Sequence, residues 1–299
     1  MDAPTQVADY TITGSIGDGA HGSFFLAAPP ARLGEVGTQV VLKLVAGGDG
    51  DAFRRFTREL RLFNRVQHPG LVRLFDAGQH EDWFFYSMEW CPGGTLASPV
   101  VALDNVGKTR AVAQAARAVH ALHEQGIAHR DLRPGNVMLR TEHPTEVEAC
   151  LADLGLAQLG GGSVTSMAPL ASIGFIDPAL LLGENAGRAT DIYSVGAVLH
   201  WTLTGQHLHP VETGGDAMLA VRAILRSAPN VRRDLLTGAE ADLIAACVDR
   251  DVARRPATAA EVAVLVEDLA GALTSPAAEA AAAPAASPFA PPAVTPEDR

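Results

Sequence analysis

Three oxygen-bearing side chains fall close together in the middle of this chain. The stretch His129-Arg130-Asp131-Leu132-Arg133-Pro134-Gly135-Asn136 is followed a short way downstream by Asp153-Leu154-Gly155. Asp131 can accept a proton from an attacking hydroxyl. Asn136 offers a neutral oxygen to a metal and Asp153 a charged one, and hard cations such as Mg2+ prefer oxygen ligands. Arg130 places a fixed cation beside the base. Such a set suits one job, which is holding a hydroxyl and a metal-bound polyphosphate in line. A lysine near the front of the chain belongs to the same chemistry. Lys43 is the single charge in the apolar run Gln39 to Val45. A lone charge in such a strand is costly unless paired, so it needs an anionic partner, and a phosphate plus a carboxylate would serve.

The elements that must position these groups can be traced in order. Tyr10 to Ile16 alternates and predicts a strand, and Ser23 to Ala27 predicts another. Between them lies Gly17-Asp18-Gly19-Ala20-His21-Gly22, a G-x-G-x-x-G flanked by strands on both sides. A dinucleotide-binding turn would run straight into a helix, which this one does not. Asp51 to Gln67 carries Phe53, Phe56, Leu60, Phe63 and Val66 at helical spacing. Glu59 sits beside that stripe and is the natural mate of Lys43. Leu71 to Phe75 and Trp83 to Glu89 read as two more strands joined by 76–82, and Trp90 to Gly94 as a breaker-rich hinge. Beyond it the pattern is helical, with a long Ala-rich helix from Asp104 to about Gln125. A buried helix opens at Asp191, two follow near 216–227 and 239–248, and a last one runs to about Ala272. The pairs His120/His123 and His207/His209 lack a third ligand and read as packed or solvated histidines.

Composition narrows the class. Hydrophobic residues make up 47% of the 299 and charged residues 19%, so a folded core is expected. A net charge of −11 argues against a nucleic-acid partner, which would show up as a basic face. Cys91, Cys150 and Cys247 show neither zinc spacing nor a disulfide framework, and a reducing cytoplasm fits them. The sequence shows no secretory signal and no apolar run of membrane-spanning length. Residues 1–9 read as a loose leader, and 273–299, rich in Ala and Pro, as a disordered tail.

Taken together, these motifs resemble the eukaryotic-like (Hanks-type) serine/threonine protein kinases. The catalytic stretch is similar to H-R-D-L-x-x-x-N, Asp153-Leu154-Gly155 to D-F-G, Asp191 to Gly196 to D-x-W-S-x-G, and Asp251 to Pro256 to D-x-x-x-R-P. The resemblance implies an α+β bilobal fold, with a β-rich N-lobe carrying one helix over 10–90, and a hinge and mainly helical C-lobe over 91–272. It implies ATP and Mg2+, or Mn2+ in its place, as cofactors, and proteins as substrates. Lys43, paired with Glu59, would hold the α/β-phosphates under Gly17, Gly19 and Gly22. Met88 would be the gatekeeper, the backbone of Glu89 and Cys91 would meet adenine, and Met138 would form the floor. Asp131 would be the base, with Arg133 nearby to neutralise the moving phosphoryl, and Asn136 and Asp153 would hold the metal. Arg130 implies control by phosphorylation, with Ser163, Thr165 and Ser166 as acceptor sites. Arg133-Pro134, together with Ser172 where this branch has threonine, points to Ser/Thr specificity. Compact loops and an Ala-rich composition suggest a bacterial source.

The chain departs from the pattern at several positions. Phe24 and Val41 replace smaller residues over the nucleotide, Leu154 replaces the phenylalanine of D-F-G, and Ala179 replaces the glutamate of A-P-E. Arg255, the usual mate of that glutamate, is present, and Glu184 or solvent would then have to receive it. A pseudokinase acting as a scaffold is the alternative that these changes raise. A small-molecule kinase of the aminoglycoside type is a third, and the long stretch from Asp153 to Ala179 argues against it.

Overall fold

A computed structural model of the chain describes residues 4–19, 22–47, 50–143, 146–153, 170–210 and 216–274. The front part is a six-stranded antiparallel sheet in the order β1-β2-β3-β4-β6-β5, built from Gln6–Val7 (β1), Tyr10–Gly19 (β2), Gly22–Ala28 (β3), Val40–Ala46 (β4), Leu74–His80 (β5) and Trp83–Glu89 (β6). Helix α1, Gly50–Arg65, lies against it. Its stripe buries Phe56, Leu60 and Phe63, and Phe56 stacks on Phe84 of β6 with ring centroids 5.4 Å apart. β4 is covered on both faces, which is why it reads as a continuous apolar run.

Two expectations are corrected in this region. Residues 6–7 are not a loose leader, because β1 pairs with the start of β2 and Val7 is buried beside Tyr10. The strand expected at Leu71–Phe75 begins instead at Leu74 and runs through the presumed connector to His80. β5 is the sheet edge, where polar side chains meet water and weaken the apolar alternation that betrays a strand. Leu71 bridges Leu151 further along the chain.

The glycine turn between β2 and β3 is set by backbone contact as well as by any ligand. Gly22 has φ 137, and a Cβ there would fall 1.9 Å from the carbonyl oxygen of Leu44. Only glycine lets β3 pass β4 at this distance.

The second part is helical around a small sheet, β7 (Gly94–Thr95), β8 (Ser98–Pro99), β9 (Val137–Leu139) and β10 (Ala149–Leu151), in the order β10-β9-β7-β8. Its core helix α2, Asn105–Glu124, is N-capped by Asp104, which accepts from Gly107 N at 2.7 Å. The alanines of α2 let it pack closely on α3, Arg188–Thr204, and on α6, Ala259–Leu273; α4, Ala217–Arg226, and α5, Gly238–Cys247, complete the bundle. Gly196 permits the α3–α5 approach, because a Cβ there would lie 2.5 Å from that of Cys247. Residues 154–169 and 275–299, which hold Leu154, Gly155, Ser163, Thr165, Ser166 and all of the expected tail but 273–274, lie outside the described residues; Leu273 still belongs to α6.

Of the two histidine pairs, His123 and His209 are buried and hydrogen-bonded, while His120 and His207 are half-buried. His209 bridges Tyr193 Oη at 2.9 Å and Ser227 Oγ at 2.8 Å, and Ser227 gives its proton to Ala223 O. Burial, helped by the Arg250 charge, lowers its pKa from 6.5 to about 4. The unfolded chain takes up this proton near pH 6.5 and the folded chain only near 4. The stabilisation is therefore complete above pH 6.5 and lost as pH falls toward 4. Melting curves of His209→Gln should show a shallower loss of Tm across that window than the wild type. An unchanged slope would place the proton uptake elsewhere.

Candidate active site

The catalytic stretch is held from beneath by one carboxylate. Asp191, at the start of α3, accepts from His129 N at 2.7 Å, Arg130 N at 3.0 Å and His123 Nε2 at 2.8 Å. These bonds sustain a backbone that is otherwise unfavourable, since Arg130 has φ 72. His129 is fully buried, and burial lowers its pKa, so the ring is neutral. Its Nε2 contacts Ala152 O at 3.2 Å and must be the donor, since a carbonyl only accepts. Ala152 N in turn donates to Asn136 O at 2.9 Å. The two halves of the motif are thereby tied together just before Asp153.

Asn136 spends its amide nitrogen on Asp131, at 2.7 Å to the backbone oxygen and 2.9 Å to Oδ2. Its single side-chain oxygen is the atom left for a cation. Arg133 Nε lies 3.6 Å from Asp131 Oδ2. The sequence-adjacent members of the site are therefore assembled as their spacing implied.

Lys43 arrives from the sheet. Its Nζ is 2.6 Å from Asp153 Oδ2, and both side chains are nearly buried. The second oxygen, Oδ1, accepts from Tyr86 Oη. Burial alone would raise the Asp153 pKa, but Lys43, Tyr86 and Arg133 outweigh it and hold the carboxyl below its usual value. Tyr86 goes the opposite way, raised by burial and by the Asp153 charge. Asp153 also has φ 53, another costly backbone setting kept by its surroundings. Glu59 was the expected mate of Lys43. It lies in α1, but its side chain is outside the described residues, and the mate that is described is Asp153. The donor set of Asn136 amide oxygen and Asp153 carboxylate is hard and oxygen-only, which fits Mg2+.

Met88 is buried in β6 opposite Val41, and Met138 sits half-buried in β9. Phe24 stands beside Lys43 across the β3–β4 pair, with its ring centroid 4.9 Å from Nζ. It covers the ammonium and leaves Asp153 accessible to it. Glu89 does more than the sequence suggested. Its carboxylate accepts from Arg140 Nε at 2.8 Å and Nη2 at 3.2 Å, while Arg140 also donates to Pro69 O and Leu71 O. The hinge strand is thus pinned to the strand end after β9. Cys91 and Cys150, distant in sequence, face each other as free thiols with sulfurs 3.7 Å apart.

The regulatory candidates are only partly visible. Arg130 Nε is buried without a hydrogen-bond partner among the described residues, and so is the hydroxyl of Ser172. Ser172 therefore makes no described bond to Asp131. The expected mate of Arg255 is corrected. Glu184 is exposed, and Arg255 is buried instead against Asp177, with Asp249 O and Ala189 O each 2.8 Å away. Asp177 also caps the short helix Pro178–Leu181, but the pairing with Arg255 spans 78 positions and has no local signal.

Comparison with known proteins follows the same lines. The protein kinase domain family matches residues 10–264. Serine/threonine-protein kinase PknJ of Mycobacterium tuberculosis is 30% identical over 274 residues, 88% of this chain and 46% of PknJ. PrkC of Bacillus subtilis is 27% identical over 229 residues, 75% of this chain and 34% of PrkC. The chain spans less than half the length of these curated relatives. The kinase domain of M. tuberculosis PknI superposes with a TM-score of 0.65 at 22% identity, over 90% of this chain and 99% of that one, a likeness of fold. With the family match running from β2 into α6, the chain belongs to the protein kinase family.

Proposed function

We infer that this chain transfers the γ-phosphoryl group of ATP to serine or threonine hydroxyls of proteins, including its own segment between Asp153 and Ser172, in the cytoplasm. The observation that carries this reading is the 2.6 Å contact of Lys43 with Asp153, beside an Asp131 already oriented by Asn136. Lys43 and the glycine turn bind the phosphates. Asn136 and Asp153 would hold Mg2+, which when bound would neutralise phosphate charge. Asp131 receives the proton of the attacking hydroxyl through its carboxylate, and Arg133 balances charge beside it. Little covalent chemistry falls to the protein, so positioning and electrostatics supply most of the rate.

A pseudokinase, acting as a nucleotide-binding or scaffold module without turnover, is the reading that Phe24 favours, because its ring covers part of the Lys43 ammonium. Incubation with radiolabelled ATP, Mg2+ and a peptide array separates the two. Transfer to Ser or Thr supports the kinase. Tight Mg-ATP binding with no transfer to any acceptor supports the scaffold. No nucleotide binding at all overturns the kinase and favours a scaffold that works without nucleotide.

A further inference from the structure

We propose that Tyr86 is a positioning residue for metal binding, anchoring the Asp153 carboxylate by one oxygen so that the other is presented to the cation. The proposal rests on the kinase reading above and adds to it a residue that takes no part in the chemistry.

Tyr86 lies at the centre of β6, 2% exposed, directly across from Lys43 in the β4–β6 pair. Its ring packs on Phe56 of α1 with centroids 6.0 Å apart. A phenol in such a place must find a partner for its hydroxyl or leave it unsatisfied. The partner it finds is Asp153 Oδ1. Lys43 takes Oδ2 at 2.6 Å. Two cross-strand neighbours thus hold the two oxygens of one carboxylate, at a residue with φ 53.

The two anchors differ in what nucleotide binding does to them. Lys43 carries its ammonium on a flexible four-carbon stem, and polyphosphate competes for it. Tyr86 is fixed on β6 with its ring buried against Phe56 of α1, and phosphate has no claim on a donor at that depth. When Lys43 turns to phosphate, Oδ2 becomes available to a cation, and Tyr86 is the group that still fixes the carboxylate. Hydrogen bonds to charged groups are the stronger ones, and a ligand held in place before the metal arrives loses less freedom on binding.

The test is calorimetric and does not require turnover. ADP binding is titrated with and without Mg2+ for the wild type and for Tyr86→Phe, which keeps the ring and removes only the hydroxyl. The proposal expects Mg-ADP affinity to fall about tenfold in Tyr86→Phe, the loss of roughly one hydrogen bond to a charged group, with metal-free ADP affinity unchanged. In an Asp153→Asn background the same change should have no further effect on the metal-dependent part. Equal losses with and without Mg2+ would mean that Tyr86 only supports the fold and would overturn the proposal, as would unchanged or tighter Mg-ADP binding. If Tyr86→Phe melts below the assay temperature, the titrations are repeated at a lower temperature at which its melting curve shows it folded, and are read in the same way. A wild type that binds no Mg-ADP would sink the kinase reading itself, an outcome distinct from failure of the Tyr86 assignment.

Discussion

Asp177→Ala should destabilise the helical part by about 3–5 kcal/mol, on the order of 10 °C in Tm. The Arg255 guanidinium is buried, its side chain 3% exposed against 2% for Asp177. It has two backbone carbonyls and the face of Tyr193, 5.2 Å from its carbon, as further neighbours. None of these carries a negative charge. Removing Asp177 leaves a desolvated cation, and that penalty, more than the loss of one contact, sets the size of the effect. Asp177 also caps the short helix Pro178–Leu181 by accepting from Ala179 N at 3.0 Å, which adds about 1 kcal/mol. Removing both charges in Asp177→Ala/Arg255→Met should recover most of the loss, because no buried charge then remains unpaired. Thermal denaturation of the three variants measures this. A single-variant shift under about 1 kcal/mol would mean that Arg255 reaches water. The pair also explains how the chain tolerates alanine at position 179, since the anion that Arg255 needs comes from two residues earlier.

Asp131→Asn should lower the rate of phosphoryl transfer by about 10²–10⁴-fold, the usual worth of a positioned general base. Asparagine retains an oxygen that can accept from Asn136 Nδ2, so the 2.9 Å bond that shapes the loop can persist. It cannot take a proton. Binding of nucleotide should be unaffected, and the effect should fall on turnover alone. Single-turnover transfer measured beside calorimetric ATP affinity checks both halves. Full activity in Asp131→Asn would remove Asp131 from the role of base, and a parallel loss of ATP affinity would show that it acts on binding.

How much of this was legible in the sequence varied from element to element. The strands around the glycine turn, the stripe of α1 and the long α2 were readable because each is a local periodicity that one face of buried side chains imposes. The catalytic stretch was readable for a similar reason, since Asp131 and Asn136 meet within a single loop. β1 and the edge strand β5 were not. The first is two residues long, and the second exposes polar side chains where a buried strand would alternate.

What the sequence determined by itself was the family, the architecture and the close grouping of Asp131, Arg133 and Asn136, because all of these are written in spacings of a few residues. The tertiary structure decided the partners of the buried charges. Lys43 meets Asp153 across 110 positions, Tyr86 meets it across 67, and Arg255 finds Asp177 across 78. No local pattern encodes such a pairing. A buried ion must be neutralised by whatever opposite charge the packed elements bring within reach, and that is known only once they have packed.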